Sequence, residues 1–156
     1  MGAAPARSPA LTVRERRTRL GRAWRTAALV GLAACAGTAS GPPTVHWGTD
    51  ECSHCHMIVS EERFAAVARS TSGEEARFDD LGCLRRWLAG RDVSEWQLWA
   101  HDAGGAGWLA ATEAWYTQAP GVSTPMGSGL RAWASREAAD AAGGTVRSWR
   151  EMLAIP

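Results

Sequence analysis

The sequence predicts a single small domain of the α+β class, composed of two similar ββα units. Two segments with the pattern of strands precede a segment with helical periodicity, and the same order returns in the second half of the chain. Leu84-Arg85-Arg86-Trp87 is echoed 46 positions later by Leu130-Arg131-Ala132-Trp133, which indicates a duplication. With 156 residues, 46% of them hydrophobic and 21% charged, the composition argues against disordered, collagenous and multi-domain proteins.

In the first unit, residues 64–69 and 75–79 have the pattern of two strands. The small and polar residues 70–74 between them favour a turn. Apolar residues over 84–88 recur with the spacing of one helical face, and Gly90 provides a stop. These features predict a strand, a turn, a second strand and a short helix.

The second unit is predicted from similar signals. Alternating residues over 95–101 indicate a strand, and residues 112–117 are expected to pair with it across the glycine-rich turn 104–107. Another helical stretch is expected to begin near Gly127.

Capping residues predict the last two helices. Ser135 is expected to cap a helix over 136–142, which Gly143 ends. An extended piece follows at 145–146. Residues 148–151 have the spacing of a capping box, which predicts a final helix over 149–153.

The first 34 residues have the pattern of a bacterial export signal. Seven of the 17 basic residues lie within the first 25 positions, and the uncharged, mostly apolar residues 26–34 follow. This stretch is shorter than the roughly 20 residues that cross a bilayer, which favours a signal peptide over a membrane helix. Leu32-Ala33-Ala34-Cys35 resembles a lipobox, so we expect Cys35 to carry a lipid. An ordinary signal sequence with a buried cysteine nearby is the alternative.

Residues 35–45 are then expected to be the lipidated cysteine and a flexible tether, and residues 46–156 the folded domain. This arrangement predicts an anchored protein at the outer face of a bacterial membrane, in the periplasm or at the cell surface. Ten of the 17 arginines and 15 of the 16 acidic residues lie from Cys35 onward, which gives a net charge of −5. Such an acidic body argues against a nucleic-acid partner.

The densest cluster of chemically active side chains lies in Asp50-Glu51-Cys52-Ser53-His54-Cys55-His56-Met57. Two thiols, a thioether and two imidazoles occupy five of the last six positions. Polarisable sulfur ligands favour a soft ion, so Cys52, Cys55 and Met57 predict a site for Cu(I).

Three other interpretations of this cluster are open. A structural zinc site needs four N or S ligands, and downstream of the cluster only Cys83 and His101 could add to it. A redox Cys-x-x-Cys is expected to open a helix, whereas the β-branched pair Ile58-Val59 follows here. A disulfide between Cys52 and Cys55 suits an oxidising compartment, and it would compete with copper loading.

The chain resembles the NosL family, the accessory copper lipoproteins of nitrous oxide reductase, over most of residues 32–153. Several separated motifs in one order carry the resemblance. They are the lipobox ending at Cys35, Asp50-Glu51-Cys52 to Cys55 with Met57-Ile58-Val59, Phe78-Asp79-Asp80-Leu81-Gly82-Cys83-Leu84, His101-Asp102, Ala111-Thr112-Glu113-Ala114-Trp115-Tyr116, Pro125-Met126-Gly127 and Gly143-Gly144-Thr145-Val146.

The resemblance implies two similar ββα units and a non-enzymatic role in delivering Cu(I) for maturation of the reductase, an enzyme of denitrification. It assigns the copper ligands to Cys52, Cys55, Met57 and the distant Met126. The implied partners are the copper-receiving maturation machinery or a membrane transporter complex, with a homodimer sharing one ion left open. The rivals are a membrane-tethered thiol-disulfide oxidoreductase and a structural zinc lipoprotein.

Three residues near the proposed site have alternative roles. The family usually has Gly where this chain has His56, so His56 either adopts a glycine-like backbone as an exposed residue or adds an imidazole ligand. Cys83 is interpreted as structural, because neighbouring carboxylates should make its thiol less acidic. His101 and Asp102 are interpreted as a hydrogen-bonded pair that orients a loop, with metal ligation as the alternative.

Overall fold

The computed structural model describes residues 1–2 and 41–156. Cys35, nearly all of the predicted signal peptide and the first part of the tether lie outside the described residues, and their roles stay predictions. Within the described part of the chain, no helix combines the length and apolar character that crossing a bilayer requires. The fold below is that of the unit comprising residues 37–156, from residue 41 onward.

The first sheet has four antiparallel strands in the order β2-β1-β3-β4. Their bounds are Ala66–Ser70 (β1), Glu75–Phe78 (β2), Trp96–His101 (β3) and Trp108–Ala110 (β4). The predicted hairpin is confirmed, because β1 pairs with β2 from Ala66 opposite Phe78 to Arg69 opposite Glu75.

The second sheet has three antiparallel strands in the order β6-β5-β7. Its strands are Trp115–Gln118 (β5), Leu130–Trp133 (β6) and Thr145–Arg147 (β7). A short parallel bridge between Asp102 and Ala132 connects the end of β3 to β6, so the two sheets meet at that point.

Three α-helices are joined to these sheets: α1 at Leu81–Leu88, α2 at Arg136–Ala142 and α3 at Trp149–Leu153. Single 3-10 turns cover Glu62–Phe64 and Val93–Glu95. The capping predictions are confirmed. The Ser135 side chain accepts from the Ala138 N–H, and the Glu151 carboxylate accepts from the Ser148 N–H at 2.7 Å.

The α+β class with two related units is confirmed. In each unit the first strand is central, the second pairs with one of its edges, a helix follows, and the strand after that helix pairs with the other edge. Thus β1, β2, α1 and β3 correspond in order to β5, β6, α2 and β7.

The four-residue echo, however, does not relate equivalent elements. Residues 84–87 lie in α1, whereas residues 130–133 form β6, which corresponds to β2. Leu130 and Ala132 are buried and alternate with half-buried neighbours, which is strand periodicity and not helix periodicity. The predicted helix near Gly127 is therefore wrong. Gly127 and Gly129 have φ of 68° and 67°, and these left-handed residues interrupt any helix before β6.

The predicted partner of β3 was also wrong. The strand that follows the glycine-rich turn is β4, and residues 115–118 belong to the second sheet as β5. The chain reverses at the end of β4, where the N–H groups of Glu113 and Ala114 both donate to the Ala110 carbonyl. This reversal carries residues 112–114 away from the first sheet.

One contiguous core lies against both sheets. Its largest buried side chains come from the strands and from α1 and α3, and they include Phe78, Leu81, Leu84, Tyr116, Leu130 and Met152. Trp87, Trp96, Trp108 and Trp149 are only partly buried and pack at its margin. The start of α1 lies within this core, because Leu81 to Leu84 are all buried.

Candidate metal centre

Three cysteine sulfur atoms converge at one place in the domain. The Sγ atoms of Cys52, Cys55 and Cys83 all lie within 4.8 Å of one another. All three residues are free cysteines. Cys52 and Cys83 are fully buried, and Cys55 is partly exposed. The loop before β1 supplies two of these thiols, and the first turn of α1 supplies the third.

The loop that carries Cys52 and Cys55 is a tight reversal. A β-bridge joins Glu51 to Ile58, and the Cys52 N–H donates to the Met57 carbonyl at 2.8 Å. Inside it, the His56 N–H donates to the Cys52 carbonyl at 2.9 Å. His56 has a φ of 62°, the left-handed conformation that glycine adopts without cost. The expected glycine-like backbone at this position is therefore confirmed.

Arg77, in β2, holds this loop against the first sheet. Its backbone exchanges hydrogen bonds with Ser53, whose N–H donates to the Arg77 carbonyl at 2.7 Å. In return, the Arg77 N–H donates to Ser53 Oγ at 3.1 Å. The guanidinium pairs with Asp50 at 3.0 Å and with Glu75 at 2.8 Å. Because β2 leads directly into α1, the same strand brings Cys52 and Cys55 to Cys83.

Asp80 joins the start of α1 to the loop that carries Met126. Its buried carboxylate caps the helix by accepting from the Gly82 N–H at 2.6 Å. The same carboxylate accepts from Thr124 Oγ1 at 2.7 Å and from the Met126 N–H at 2.9 Å. The loop packs so closely that a Cβ on Gly82 would lie 2.6 Å from Ser128 Cβ, so the helix start requires glycine. Met126 is thereby held at the end of α1 where Cys83 lies.

The two predicted thioether ligands are at the surface. Met57 is 58% exposed and Met126 is 38% exposed, whereas Met152 is fully buried in the core. Neither side chain is packed as a core methionine. The Met57 carbonyl accepts the hydrogen bond that closes the loop carrying Cys52 and Cys55 (the thiol loop). The Met126 N–H donates to Asp80, which lies three residues before Cys83 in the sequence. The assignment of Cys52, Cys55, Met57 and Met126 to a single ion stays a prediction.

Negative charge in the cluster is concentrated on Cys52. A hydrogen bond from the Cys83 thiol, with smaller contributions from backbone N–H groups, lowers the pKa of Cys52 despite its burial. The same hydrogen bond, together with burial, raises the pKa of Cys83. Burial is the main cause that raises the pKa of Cys55. The expectation that Cys83 is less acidic is confirmed, but the cause is the Cys52 sulfur and not the adjacent carboxylates.

The histidines lie outside the thiol cluster. His54 and His56 are exposed, and the cluster includes no histidine nitrogen. The His101 ring lies edge-on to Trp108 with centroids 5.1 Å apart. Among the described residues, His101 Nδ1 is buried without a hydrogen-bond partner. The predicted hydrogen bond between His101 and Asp102 is not found among the described residues. The Asp102 carboxylate instead orients the following loop alone, by accepting from the N–H groups of Gly104 and Ala106 at 3.1 and 2.9 Å.

Sequence reasoning named Cys83 only as a possible additional ligand and interpreted it as structural, whereas the structure places its sulfur in the cluster. Its buried position was predictable from the apolar helix start that follows β2. Its contact with Cys52 depends on the hydrogen bonds between Ser53 of the thiol loop and Arg77 of β2. These two residues are 24 positions apart, and no local pattern encodes their pairing.

Comparison with known proteins adds one result. No family model matches the chain, and neither does any curated protein. Among solved structures, the chain is similar to the copper chaperone NosL from Shewanella denitrificans, with a TM-score of 0.59 and 19% sequence identity. The similarity covers 70% of this chain and 96% of that one. The chain has a NosL-like fold. At this level of identity the NosL likeness establishes the architecture, and the chemistry must be argued from the residues of this chain.

Proposed function

We propose that this protein is a Cu(I) carrier, anchored through Cys35 to the outer face of a bacterial membrane, that delivers copper for maturation of nitrous oxide reductase. The observation that carries the proposal is the convergence of three thiols within 4.8 Å of one another, together with the exposed thioethers of Met57 and Met126 on the loops bonded to this cluster's elements. A solved structure to which this chain is similar is that of a copper chaperone. The receiving partner is the maturation machinery or a membrane transporter complex.

The donor set favours monovalent copper on chemical grounds. The cluster contains only sulfur, and thiolates and thioethers are soft ligands that select Cu(I) over hard cations such as Mg²⁺ and Ca²⁺. The proposed ligands are Cys52, Cys55, Met57 and Met126. The exposure of both methionines suits a site that must hand its ion to another protein, because a partner can reach the thioethers without unfolding the domain.

A carrier of this kind performs no bond chemistry on a substrate, so we assign no catalytic residue. The ion would move by stepwise ligand exchange, in which a ligand of the receiver replaces one exposed ligand of the carrier at a time. Anchoring both proteins at one membrane surface would raise the local concentration of carrier beside its receiver.

Two features of the cluster disfavour the thiol-disulfide oxidoreductase rival. A redox nucleophile must be accessible, yet Cys52, the thiol with the lowered pKa, is fully buried. The Cys52–Cys55 segment also lies in a turn that continues into an isolated bridge at Ile58 and not into a helix. The zinc rival requires a fourth N or S ligand, and the cluster contains three thiols.

Competition for Cu(I) tests the proposal. The full chain, carrying Cys35→Ser so that the fourth cysteine cannot contribute, is titrated anaerobically in detergent against a Cu(I) chelator. We expect Cys55→Ser to weaken binding by about 10- to 100-fold and Met57→Leu and Met126→Leu to weaken it less. The matched control is Met152→Leu, which removes a buried thioether and should leave the affinity unchanged. Unchanged affinity in all three site variants would refute the ligand assignment.

A further inference from the structure

We propose that Cys83 is a further copper ligand, so that the ion is held by an inner pair of buried thiols, Cys52 and Cys83, and is exchanged through an outer set formed by Cys55, Met57 and Met126. This inference rests on the proposed copper-carrier function. It adds to that function a division of labour between ligands that retain the ion and ligands that release it.

The spacing of the three sulfur atoms supports this assignment. A metal about 2.3 Å from each of three sulfurs in one plane holds them about 4 Å apart. The three Sγ atoms lie within 4.8 Å of one another, so a small contraction is enough to complete a trigonal site. A Cys83 with only a packing role would not need its sulfur to face the two thiols of the loop.

Burial changes in one direction across the donor atoms. Cys52 and Cys83 have no exposed surface, Cys55 is partly exposed, and Met57 and Met126 are 58% and 38% exposed. An incoming ligand therefore cannot reach the inner pair, and exchange must begin at the thioethers and proceed through Cys55. The inner pair sets how long the ion stays.

The two inner residues are also the more firmly anchored. Cys83 lies in the first turn of α1, which the Asp80 carboxylate caps and which the close approach of Gly82 to Ser128 locks in place. Cys52 is fixed by its N–H bond to the Met57 carbonyl within the bridged loop. Rigid inner ligands lose little conformational freedom when they bind an ion, whereas the exposed methionines can rotate towards a partner.

Residue-resolved NMR tests the assignment without a mutation at any of the proposed ligands. In the Cys35→Ser chain labelled with ¹³C, one equivalent of Cu(I) is added anaerobically. We expect the Cβ resonances of Cys52, Cys55 and Cys83 to shift together, and the Cε resonances of Met57 and Met126 to shift while that of Met152 does not. A Cys83 Cβ resonance that stays in place while that of Cys55 moves would overturn the inference.

Release kinetics provide the second test. Cys83→Ser and Cys83→Ala should bind Cu(I) about tenfold more weakly or worse and lose it faster to excess chelator. Met57→Leu should release the ion more slowly than its loss of affinity alone would predict, because exchange begins at the thioethers. Thermal unfolding of each apo variant checks that the domain is folded. If wild-type binding is strong and only the Cys83 variants behave like wild type, the inference fails and the carrier function stands. If the Cys55 and methionine variants also bind like wild type, the proposed function fails as well.

Discussion

The buried carboxylate of Asp80 accepts a hydrogen bond from the Met126 N–H at 2.9 Å, across 46 residues of sequence. The same carboxylate caps the helix that carries Cys83. One side chain therefore sets both the start of the helix and the position of the loop that presents the distant thioether. Its loss should affect stability and the copper site together.

The variant Asp80→Asn tests this coupling. An amide cannot accept all three hydrogen bonds that the carboxylate receives, so we expect the free energy of unfolding to fall by about 1–3 kcal/mol. Copper affinity should fall as well, because the Met126 loop is no longer tied to α1. The measurements are chemical denaturation and competition with a Cu(I) chelator.

Ser135→Ala is the matched control for Asp80→Asn. Ser135 caps α2 by accepting from the Ala138 N–H at 3.2 Å, and it has no bond to the site. Its loss should cost about 1 kcal/mol of stability and leave copper affinity unchanged. Equal loss of affinity in both variants would mean that stability alone, and not the position of Met126, governs binding.

The left-handed backbone at His56 leads to a stabilising substitution. A non-glycine residue in this conformation destabilises the folded protein by about 1–2 kcal/mol, a strain that glycine removes. Glycine in turn destabilises the folded protein by about 0.4–1 kcal/mol, because it increases the entropy of the unfolded chain. His56→Gly should therefore raise the free energy of unfolding by up to about 1 kcal/mol. His54→Gly, at a neighbouring exposed position without positive φ, should lower it. Both are measured by chemical denaturation.

The same variant distinguishes the two roles left open for the imidazole. His56 is exposed and is not part of the thiol cluster, so we expect His56→Gly to retain copper affinity. A loss of affinity as large as that of Cys55→Ser would instead make His56 a ligand.

Signals that act within a few residues predicted local structure well. The caps at Ser135 and Ser148 predicted α2 and α3 to the residue, because a cap bonds to N–H groups only two or three positions away. The hairpin of β1 and β2 was predictable for the same reason. The expected backbone at His56 followed not from a local signal but from the resemblance, which implied glycine at this position.

Features that depend on distant pairing were not predictable from local patterns. Residues 112–117 were expected to contain a strand, but whether that strand joins β3 or β6 is decided by the reversal at Ala110 and by the second sheet. Cys83 was interpreted as structural, because it meets Cys52 only through the pairing of the loop with Arg77. A short sequence echo between a helix and a strand was misleading, since four residues do not establish a periodicity.

The thiols should react with alkylating reagents in an order set by accessibility. Burial raises the pKa of Cys55, so at pH 7 less of it is thiolate than of an ordinary cysteine with a pKa of about 8.5. Its labelling by iodoacetamide should be slow at pH 7 and should rise as the pH increases beyond 8.5. The pKa of Cys52 is lowered by the hydrogen bond from Cys83, which favours its thiolate, but its complete burial should prevent labelling.

Mass spectrometry of the apo Cys35→Ser chain measures these rates site by site. Unfolding in denaturant is the control, because all three thiols should then react at similar rates. Faster labelling of Cys52 than of Cys55 in the folded protein would contradict the buried inner thiol and would favour the oxidoreductase rival.

Arg77 should determine how well the thiol loop is ordered. Its guanidinium pairs with Asp50 and Glu75 at 3.0 and 2.8 Å and donates to the Thr44 carbonyl at 2.9 Å. Because the side chains of Arg77 and Asp50 are half-buried, Arg77→Met should cost about 1 kcal/mol, more than a typical exposed ion pair contributes. The effect on the order of the thiol loop should be larger than the effect on global stability. The backbone hydrogen bonds between Arg77 and Ser53 do not by themselves hold the Asp50 end of the loop.

Hydrogen exchange detects this loosening directly. The amides of Cys52 and His56 donate the hydrogen bonds that close the loop, so their exchange should accelerate in Arg77→Met more than that of the amides in the first sheet. Arg63→Met is the control, because Arg63 pairs with Glu61 at 3.5 Å on an exposed surface, and its loss should change neither amide. If exchange at Cys52 and His56 is the same in both variants, the thiol loop is ordered by its own reversal, and the ion pairs of Arg77 stabilise β2 alone.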